Sequence, residues 1–130
     1  MQELSETEMR IAAELMEAGE EDVSSLINSV LPVTGTAVDV ATFSNALRNL
    51  FMRDYARFAG NRVAGQALVD LSTLQSLELL DQIDGHLIFN AGAARWKRRG
   101  NDELNVVRTP SGKVAGDLLL RKRGWGWYRK

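Results

Sequence analysis

Residues 39–59 have the sequence DVATFSNALRNLFMRDYARFA, a helical pattern followed directly by an ambiguous segment. Asp39 is a suitable N-cap, and the apolar residues after it recur every three or four positions, as on one buried helix face. These apolar residues are Phe43, Ala46, Leu47, Leu50 and Phe51. Two structures fit residues 55–59: a continuation of the helix, or a half-buried strand in which apolar and polar residues alternate. If residues 55–59 form a strand, residues 60–62 begin a hairpin tip and residues 67–71 form the return strand.

Two further helices are predicted upstream of this stretch. Ser5 and Glu8 have the spacing of a capping box, so a helix begins there, and Gly19 suits the left-handed residue that follows a helix end. The acidic residues 20–22 favour the positive end of a second helix dipole. The buried stripe of that second helix is Val23, Leu26, Ile27, Val30 and Leu31. Pro32 ends it.

A fourth helix is predicted over residues 73–84. Ser72 and Gln75 repeat the capping-box pattern at its start. Its inward-facing residues are Leu74, Leu77, Leu80 and Ile83. Helices therefore dominate the first two thirds of the chain.

The last third has a different pattern, in which short apolar runs alternate with turn residues. Turn signals of the hairpin type lie at residues 100–102 and 110–112. With residues 114–120 as a further strand, this part of the chain is predicted to be an antiparallel β-meander.

The composition is that of one ordinary globular domain, since 45% of the 130 residues are hydrophobic, 25% are charged and none is Cys. A disulfide scaffold and a disordered chain are excluded. We expect a single α+β domain over residues 1–130, in which three or four helices of an acidic half (5–84) pack on the antiparallel β-meander of a basic half (86–128). No apolar run reaches the roughly 20 residues of a membrane span, and the start has no secretion signal. A cytoplasmic location without membrane contact is therefore expected.

The net charge of −1 conceals a strong asymmetry along the chain. Residues 1–90 contain 5 Arg and no Lys against 14 acidic residues, a net −9, whereas residues 91–130 contain 11 Lys or Arg against 3 acidic residues, a net +8. The basic part suits nucleic acid, an anionic membrane or an acidic protein as a partner. It equally suits the acidic part of its own chain or of a second copy.

Enzyme chemistry finds little support in the sequence. With one His and no Cys, the chain has no Cys nucleophile, no zinc cluster and no two-His metal site. The pair Gly112-Lys113 lacks the rest of a phosphate-binding P-loop, because Val114 stands where the motif needs Ser or Thr. Three potential ligands lie close together in sequence, namely Asp81, Asp84 and His86. These three residues are too few for a metal site. From all of these features together we expect no enzyme activity, no metal and no cofactor.

One resemblance to a known family is carried by the stretch Leu47-x-x-Leu50-x-x-Arg53-Asp54-Tyr55-Ala56-Arg57-Phe58. With the helices before it, residues 5–71 resemble a winged helix-turn-helix domain, whose third helix enters the major groove and whose hairpin touches the backbone. Asp54 stands at the helix-to-wing step, where the family has Gly. The resemblance implies groove-facing positions and two wing positions. These are Asn45, Arg48, Asn49 and Arg53 in the groove, and Arg57 and Arg62 on the wing.

The last ten residues, 121–130, contain five cations and three aromatic residues. They suit a flexible platform on which bases stack, while Lys and Arg meet phosphates. Alternatively, Trp125 and Trp127 share one face of an extended strand and close the sheet. We favour packing for the Trp pair.

These observations predict a non-enzymatic, winged-helix-like nucleic-acid-binding protein. The residues expected to neutralise phosphates are Arg95, Lys97, Arg98, Arg99, Arg121, Lys122 and Arg123. The alternative is a protein-interaction or assembly module, in which the acidic half of one copy meets the basic half of another copy or of an acidic partner.

Overall fold

A computed structural model describes residues 3–59 and 71–129, with only the backbone of Arg129. In these ranges the α-helices are α1 (Glu6–Ala18), α2 (Val23–Val30), α3 (Ala37–Met52), α4 (Thr73–Leu80) and α5 (Pro110–Arg123). The strands are β1 (Glu20–Asp22), β2 (Ala56–Phe58), β3 (Leu87–Asn90), β4 (Arg95–Arg98) and β5 (Asn105–Arg108). Short 3-10 helices cover Ile83–His86 and Trp127–Arg129. The predicted α+β class and the four helices of the first 84 residues are confirmed.

The strands form two antiparallel sheets. One has three strands in the order β1-β5-β2, and the other is the hairpin of β3 and β4. The prediction of a hairpin turn at residues 100–102 is wrong, because β5 leaves β4 and pairs instead with β1 and β2. Val106 is the residue of β5 that lies opposite Phe58 of β2, and both are fully buried. The burial of β5 in the main core explains why this strand pairs with β1 and β2 and not with β4.

The predicted strand over residues 114–120 and the predicted turn at 110–112 are also wrong, because both lie in α5. Thr109 caps this helix by accepting a hydrogen bond from the amide of Gly112 at 3.0 Å, and Pro110 occupies the first turn. Gly116 packs against α1, where an added Cβ would lie 2.7 Å from Cβ of Met16. The turn-forming residues of this segment therefore start a helix and bring it close to its neighbours.

The start of α1 lies at the predicted position, but the Glu8 carboxylate accepts from the Ser5 hydroxyl at 2.8 Å where the predicted capping box has it accept from the Ser5 amide. The segment after α1 differs from its prediction. Ser5 accepts a hydrogen bond from the amide of Glu8, and Gly19 ends α1 with a φ of +80°. The acidic residues 20–22, predicted as part of a helix start, form β1 on the edge of the three-stranded sheet. Asp22 also caps α2, since its carboxylate accepts from the amide of Ser24 at 3.0 Å.

Helix α3 has the predicted buried face, and all five of its predicted apolar residues are buried. Its N-cap is Thr36 instead of Asp39, which lies in the first turn with its carboxylate buried. The helix ends before residues 55–59, which include β2, so the strand interpretation of this segment is confirmed. Asp54 makes the reversal between helix and strand with a φ of +60°, a conformation that Asp tolerates better than most residues. The predicted return strand and hairpin tip lie largely outside the described residues.

Helix α4 has the predicted capping box between Ser72 and Gln75, with both hydrogen bonds present. It ends at Leu80, earlier than predicted, and Ile83 lies in the following 3-10 helix with its side chain buried. Leu74 is exposed, so its predicted inward position is wrong.

The main core lies between α1, α2, α3 and the three-stranded sheet. Phe51 of α3 and Phe58 of β2 meet edge to face with ring centroids 4.9 Å apart, and both are fully buried. A smaller cluster joins α1 to α5 and to the end of the chain through Ala13, Leu120 and Tyr128. Each buried aromatic or Leu side chain stabilises the fold by about 1.5–3 kcal/mol.

Candidate nucleic-acid interface

The basic hairpin β3–β4 is anchored to the first turn of α3. Trp96 of β4 is 8% exposed, and its indole Nε1 donates a 2.8 Å hydrogen bond to Oδ2 of Asp39. The ring of Phe89 on β3 meets the Trp96 ring edge to face at a centroid distance of 5.3 Å. Because the anchor is buried, the outer face of the hairpin is held at a fixed position beside α3.

The carboxylate of Asp39 is the centre of a dense hydrogen-bond network. It accepts from the amide of Thr34 at 2.9 and 3.0 Å, from the Thr34 hydroxyl at 2.8 Å and from the amide of Gly35 at 2.9 Å, besides Trp96. Burial by itself raises the pKa of Asp39, but the hydrogen bonds from Trp96, Thr34 and Gly35 outweigh it and hold the pKa below its ordinary value. Asp39 is therefore an ionised structural residue.

A second anchor comes from α2, where Asn28 bonds to the backbone of Trp96 in both directions. Its Nδ2 donates to the Trp96 carbonyl at 2.8 Å, and its Oδ1 accepts from the Trp96 amide at 2.9 Å. The side-chain amide thus takes the place of a neighbouring strand along β4. The hairpin is held by α2 at its edge and by α3 beneath it.

Four predicted site residues come together on this hairpin, and they differ in how they are bonded. Arg95 and Lys97 are exposed, and neither has an acidic partner among the described residues. Arg98 lies 3.6 Å from a carboxylate oxygen of Glu103. Arg99 donates to the carbonyl of Leu87 at 3.1 Å. Arg95 and Lys97 are therefore the cations of the hairpin that are most available to an anionic partner.

Two of these residues follow the strand alternation. Lys97 lies opposite Ile88 of β3, and Arg95 lies opposite Asn90, so these four share the outer face of the hairpin. Trp96 points to the inner face. The alternation therefore puts Arg95 and Lys97 on the face opposite to the buried Trp96.

The hairpin and α3 also border one cavity of about 510 Å³. Arg99 lies on the hairpin side of this cavity, and Ala41 and Ser44 lie on the helix side. The basic hairpin and the first half of α3 are therefore neighbours around this cavity.

The predicted groove-facing residues of α3 are only partly available. Asn45 is exposed, whereas the guanidinium of Arg48 lies 2.9 Å from the carboxylate of Asp81. Asn49 is exposed, but its Nδ2 donates to Glu8 of α1 at 3.2 Å. The exposed stripe of this helix consists of Val38, Thr42, Asn45, Asn49 and Met52. This stripe is uncharged, so any recognition of base edges by α3 uses polar and apolar contacts.

The other predicted residues of this region lie at the far end of α3. Arg53 is the C-cap residue that follows α3, and Arg57 of β2 pairs with Asp54 at 2.6 Å. Arg62 lies outside the described residues. Because the carboxylate of Asp54 neutralises the charge of Arg57 locally, this pair attracts a phosphate only weakly.

The predicted cations of the chain end belong to the last turn of α5, away from the hairpin. Arg121 pairs with Asp117 at 2.9 Å, and Arg123 pairs with Glu6 at 3.1 Å. Arg123 also lies 3.8 Å above the ring of Trp127. Lys122 lines a groove together with Arg53 and Arg123. The structure thus divides the predicted cations into two surfaces.

The two Trp residues of the chain end have different environments. Trp127 packs in the smaller core cluster between Arg123 and Tyr128. Trp125 is 66% exposed, so its predicted packing is wrong. The segment is a turn and a 3-10 helix, and not the extended strand in which both rings would share one face.

Three residues that hold the hairpin did not emerge from the sequence as a site. They are Asn28, Asp39 and Trp96, which lie up to 68 positions apart. Trp96 carried a local signal, because it is the single apolar residue within a run of cations. No local pattern identified its partners.

Among residues 3–59 and 71–129, no three His, Cys, Asp or Glu side chains come together as a metal site. The helices described in the same ranges include none that is both long and apolar enough to cross a membrane. Comparisons of the chain with protein-family models, with curated proteins and with solved structures found no match.

Proposed function

We propose that this protein binds double-stranded nucleic acid without catalysing a reaction. The β3–β4 hairpin contacts the phosphate backbone through Arg95 and Lys97, and the exposed face of α3 faces the groove. The observation that carries this proposal is the Trp96–Asp39 hydrogen bond, which fixes the cationic hairpin beside the first turn of α3. Cations on a rigid support lose less conformational freedom on binding than cations on a mobile tail.

The chemistry of α3 suits a groove. Its 16 residues extend for about 24 Å at 1.5 Å per residue, and a major groove about 12 Å wide admits an α-helix. Asn45 presents a side-chain amide, the group that pairs with the N6 and N7 positions of adenine, whereas the amide of Asn49 also bonds to Glu8. Phosphate contacts would position the protein, while these amides would read bases.

The order of elements supports the winged helix-turn-helix resemblance. Three helices, α1 to α3, are followed directly by β2, and β2 lies in a small antiparallel sheet. Asp54 has a positive φ at the step where the family has Gly, so the departure in residue type does not remove the backbone reversal. The resemblance implies that the third helix enters the groove, and the β3–β4 hairpin is a separate element that would contact the backbone beside it.

The proposal is tested by fluorescence anisotropy with a labelled random-sequence duplex and a labelled single strand at two salt concentrations. We expect salt-sensitive binding that is stronger for the duplex. Lys97→Glu should weaken duplex binding by about tenfold and lower the salt dependence, because a phosphate contact is lost. The matched control is Lys113→Glu, which makes the same charge change at an exposed position on α5.

Equal losses for Lys97→Glu and Lys113→Glu would reject the hairpin as the interface. An absence of duplex binding at low salt would reject the function. Arg98 and Arg99 are less suitable positions for this test, because each bonds to other parts of the protein and its reversal would also disturb the hairpin.

A protein-interaction function is the second candidate, and one observation favours it. Helix α5 exposes Val114 and Leu118, which are 63% and 61% accessible, beside the cations Lys113 and Arg121. Exposed apolar residues with a basic border suit an acidic protein surface, including that of a second copy. Measurement of the mass in solution tests this: self-association should weaken with added salt and with Leu118→Ser.

A further inference from the structure

A groove of about 480 Å³ lies at the end of α3 that is farthest from the basic hairpin. It is bordered by the segment before α1, by the first turns of α1, by the C-terminal end of α3 and by the last turns of α5. Its volume lies in the range of sites that hold small organic molecules. The groove is formed by elements that are distant in sequence.

The groove has apolar walls. Leu4 and Met9 line one side, and Tyr55 and Leu119 line the rest of the apolar surface. All four side chains are half-buried, so each keeps apolar surface directed to solvent within the groove. Covering that surface with an aliphatic chain would be favourable by about 25 cal/mol for each Å² removed from water.

Cations from two helices converge at the same groove. Arg53 comes from the end of α3, and Lys122 and Arg123 come from the end of α5. Arg123 is held in place by Glu6 at 3.1 Å and by the ring of Trp127 at 3.8 Å. Lys122 has no acidic partner among the described residues. Three cations stand against Glu3 in the lining and Glu6 beside Arg123, so the groove keeps one positive charge in excess.

We propose that this groove binds a free amphiphilic carboxylate, such as a medium-chain fatty acid anion. The aliphatic chain would lie against Leu4, Met9 and Leu119, and the carboxylate would meet Lys122 and the neighbouring guanidinium groups. The combination of apolar walls and positive charge distinguishes this ligand from a neutral lipid and from an organic cation.

This site is distant from the hairpin that carries the proposed phosphate contacts, although Arg53 directly follows Met52 at the end of the exposed face of α3. Asp39, which anchors the hairpin, and Arg53, which borders the groove, are 14 positions apart along α3, or about 21 Å at 1.5 Å per residue. Carboxylate binding at the groove and phosphate contact at the hairpin therefore depend on different cations.

Methyl NMR of protein labelled at the Met methyl groups tests the proposal with octanoate as the probe. Met9 lines the groove, Met16 packs between α1 and α5 and Met52 is exposed on α3, so the last two serve as internal references. Octanoate should shift the Met9 signal in a saturable way and leave the Met52 signal in place. Octylamine, with the same chain and the opposite charge, should not produce the shift.

Lys122→Gln should weaken octanoate binding by roughly tenfold, the effect of losing one charge-assisted hydrogen bond. Lys113→Gln is the matched control, because it removes one charge from the same helix outside the groove. The proposal is overturned by a Met9 signal that octanoate leaves unchanged, by equal shifts with octylamine, or by equal weakening in the two variants.

Discussion

The indole of Trp96 donates a 2.8 Å hydrogen bond to the carboxylate of Asp39, 57 positions earlier in the chain. The bond joins the hairpin that contains the exposed cations to the first turn of α3. Both residues are buried, so the bond is made out of contact with water. A buried, charge-assisted bond of this kind contributes more to stability than a bond between exposed groups.

Replacement of Trp96 by Phe should lower the free energy of unfolding by about 2–3 kcal/mol, because a smaller phenyl ring replaces the buried indole and the N–H donor to Asp39 is lost. Urea unfolding monitored by circular dichroism measures the change. Trp125→Phe is the matched control, and its effect should lie within about 0.5 kcal/mol because that side chain is exposed. Similar losses in the two variants would show that the Trp96–Asp39 bond stabilises little.

Asp39 should make the stability depend on pH in the acid range. Its pKa is lower in the folded protein than in the unfolded chain, so the unfolded chain binds more protons between the two values and stability rises with pH there. The contribution is complete above about pH 4 and is lost as the pH falls through the folded-state pKa.

Asp39→Asn isolates this contribution from that of other carboxylates. The variant should be less stable than the wild type by about 2 kcal/mol at neutral pH, because an amide satisfies the donors of Thr34, Gly35 and Trp96 poorly. The difference between the two proteins should shrink as the pH is lowered. A difference that stays constant from pH 7 to pH 2 would contradict the lowered pKa.

Asn28→Ala should loosen the hairpin, because the backbone amide and carbonyl of Trp96 each lose a partner. We expect a loss of about 2 kcal/mol in stability. Hydrogen exchange at the Trp96 amide is the direct measurement. In the Asn28→Ala variant this amide should exchange faster than the amides of α3. Ser29→Ala, the next position on the same helix, is exposed and should leave that exchange rate unchanged.

Gly112→Ala should destabilise the fold by about 3 kcal/mol, because a Cβ at this position would overlap the backbone carbonyl of Tyr55. Thermal unfolding measures the effect. Gly100→Ala is the control, because no other atom lies within 4 Å of a Cβ placed there. Equal melting temperatures for the two variants would mean that α5 moves away from β2 at little cost.

Much of the helical part could be predicted from the sequence by itself. The caps at Ser5 and Ser72, the end of α1 at Gly19 and the buried face of α3 all depend on residues a few positions apart. Such signals are local, because a capping hydrogen bond or one face of a helix involves neighbours within about four residues. The sequence therefore determined the four helices of the first 84 residues, the α+β class and the runs of charge.

Only the tertiary structure decided how the last third of the chain is arranged. Thr109 and Pro110 suit a turn and a helix start alike, and the helix is formed because Gly112 and Gly116 let it pack closely on β2 and α1. The pairing of β5 with β1 and β2 joins segments far apart in the chain. The Trp96–Asp39 anchor and the groove between α3 and α5 likewise depend on long-range packing, which buries distant residues together and leaves no local pattern in the sequence.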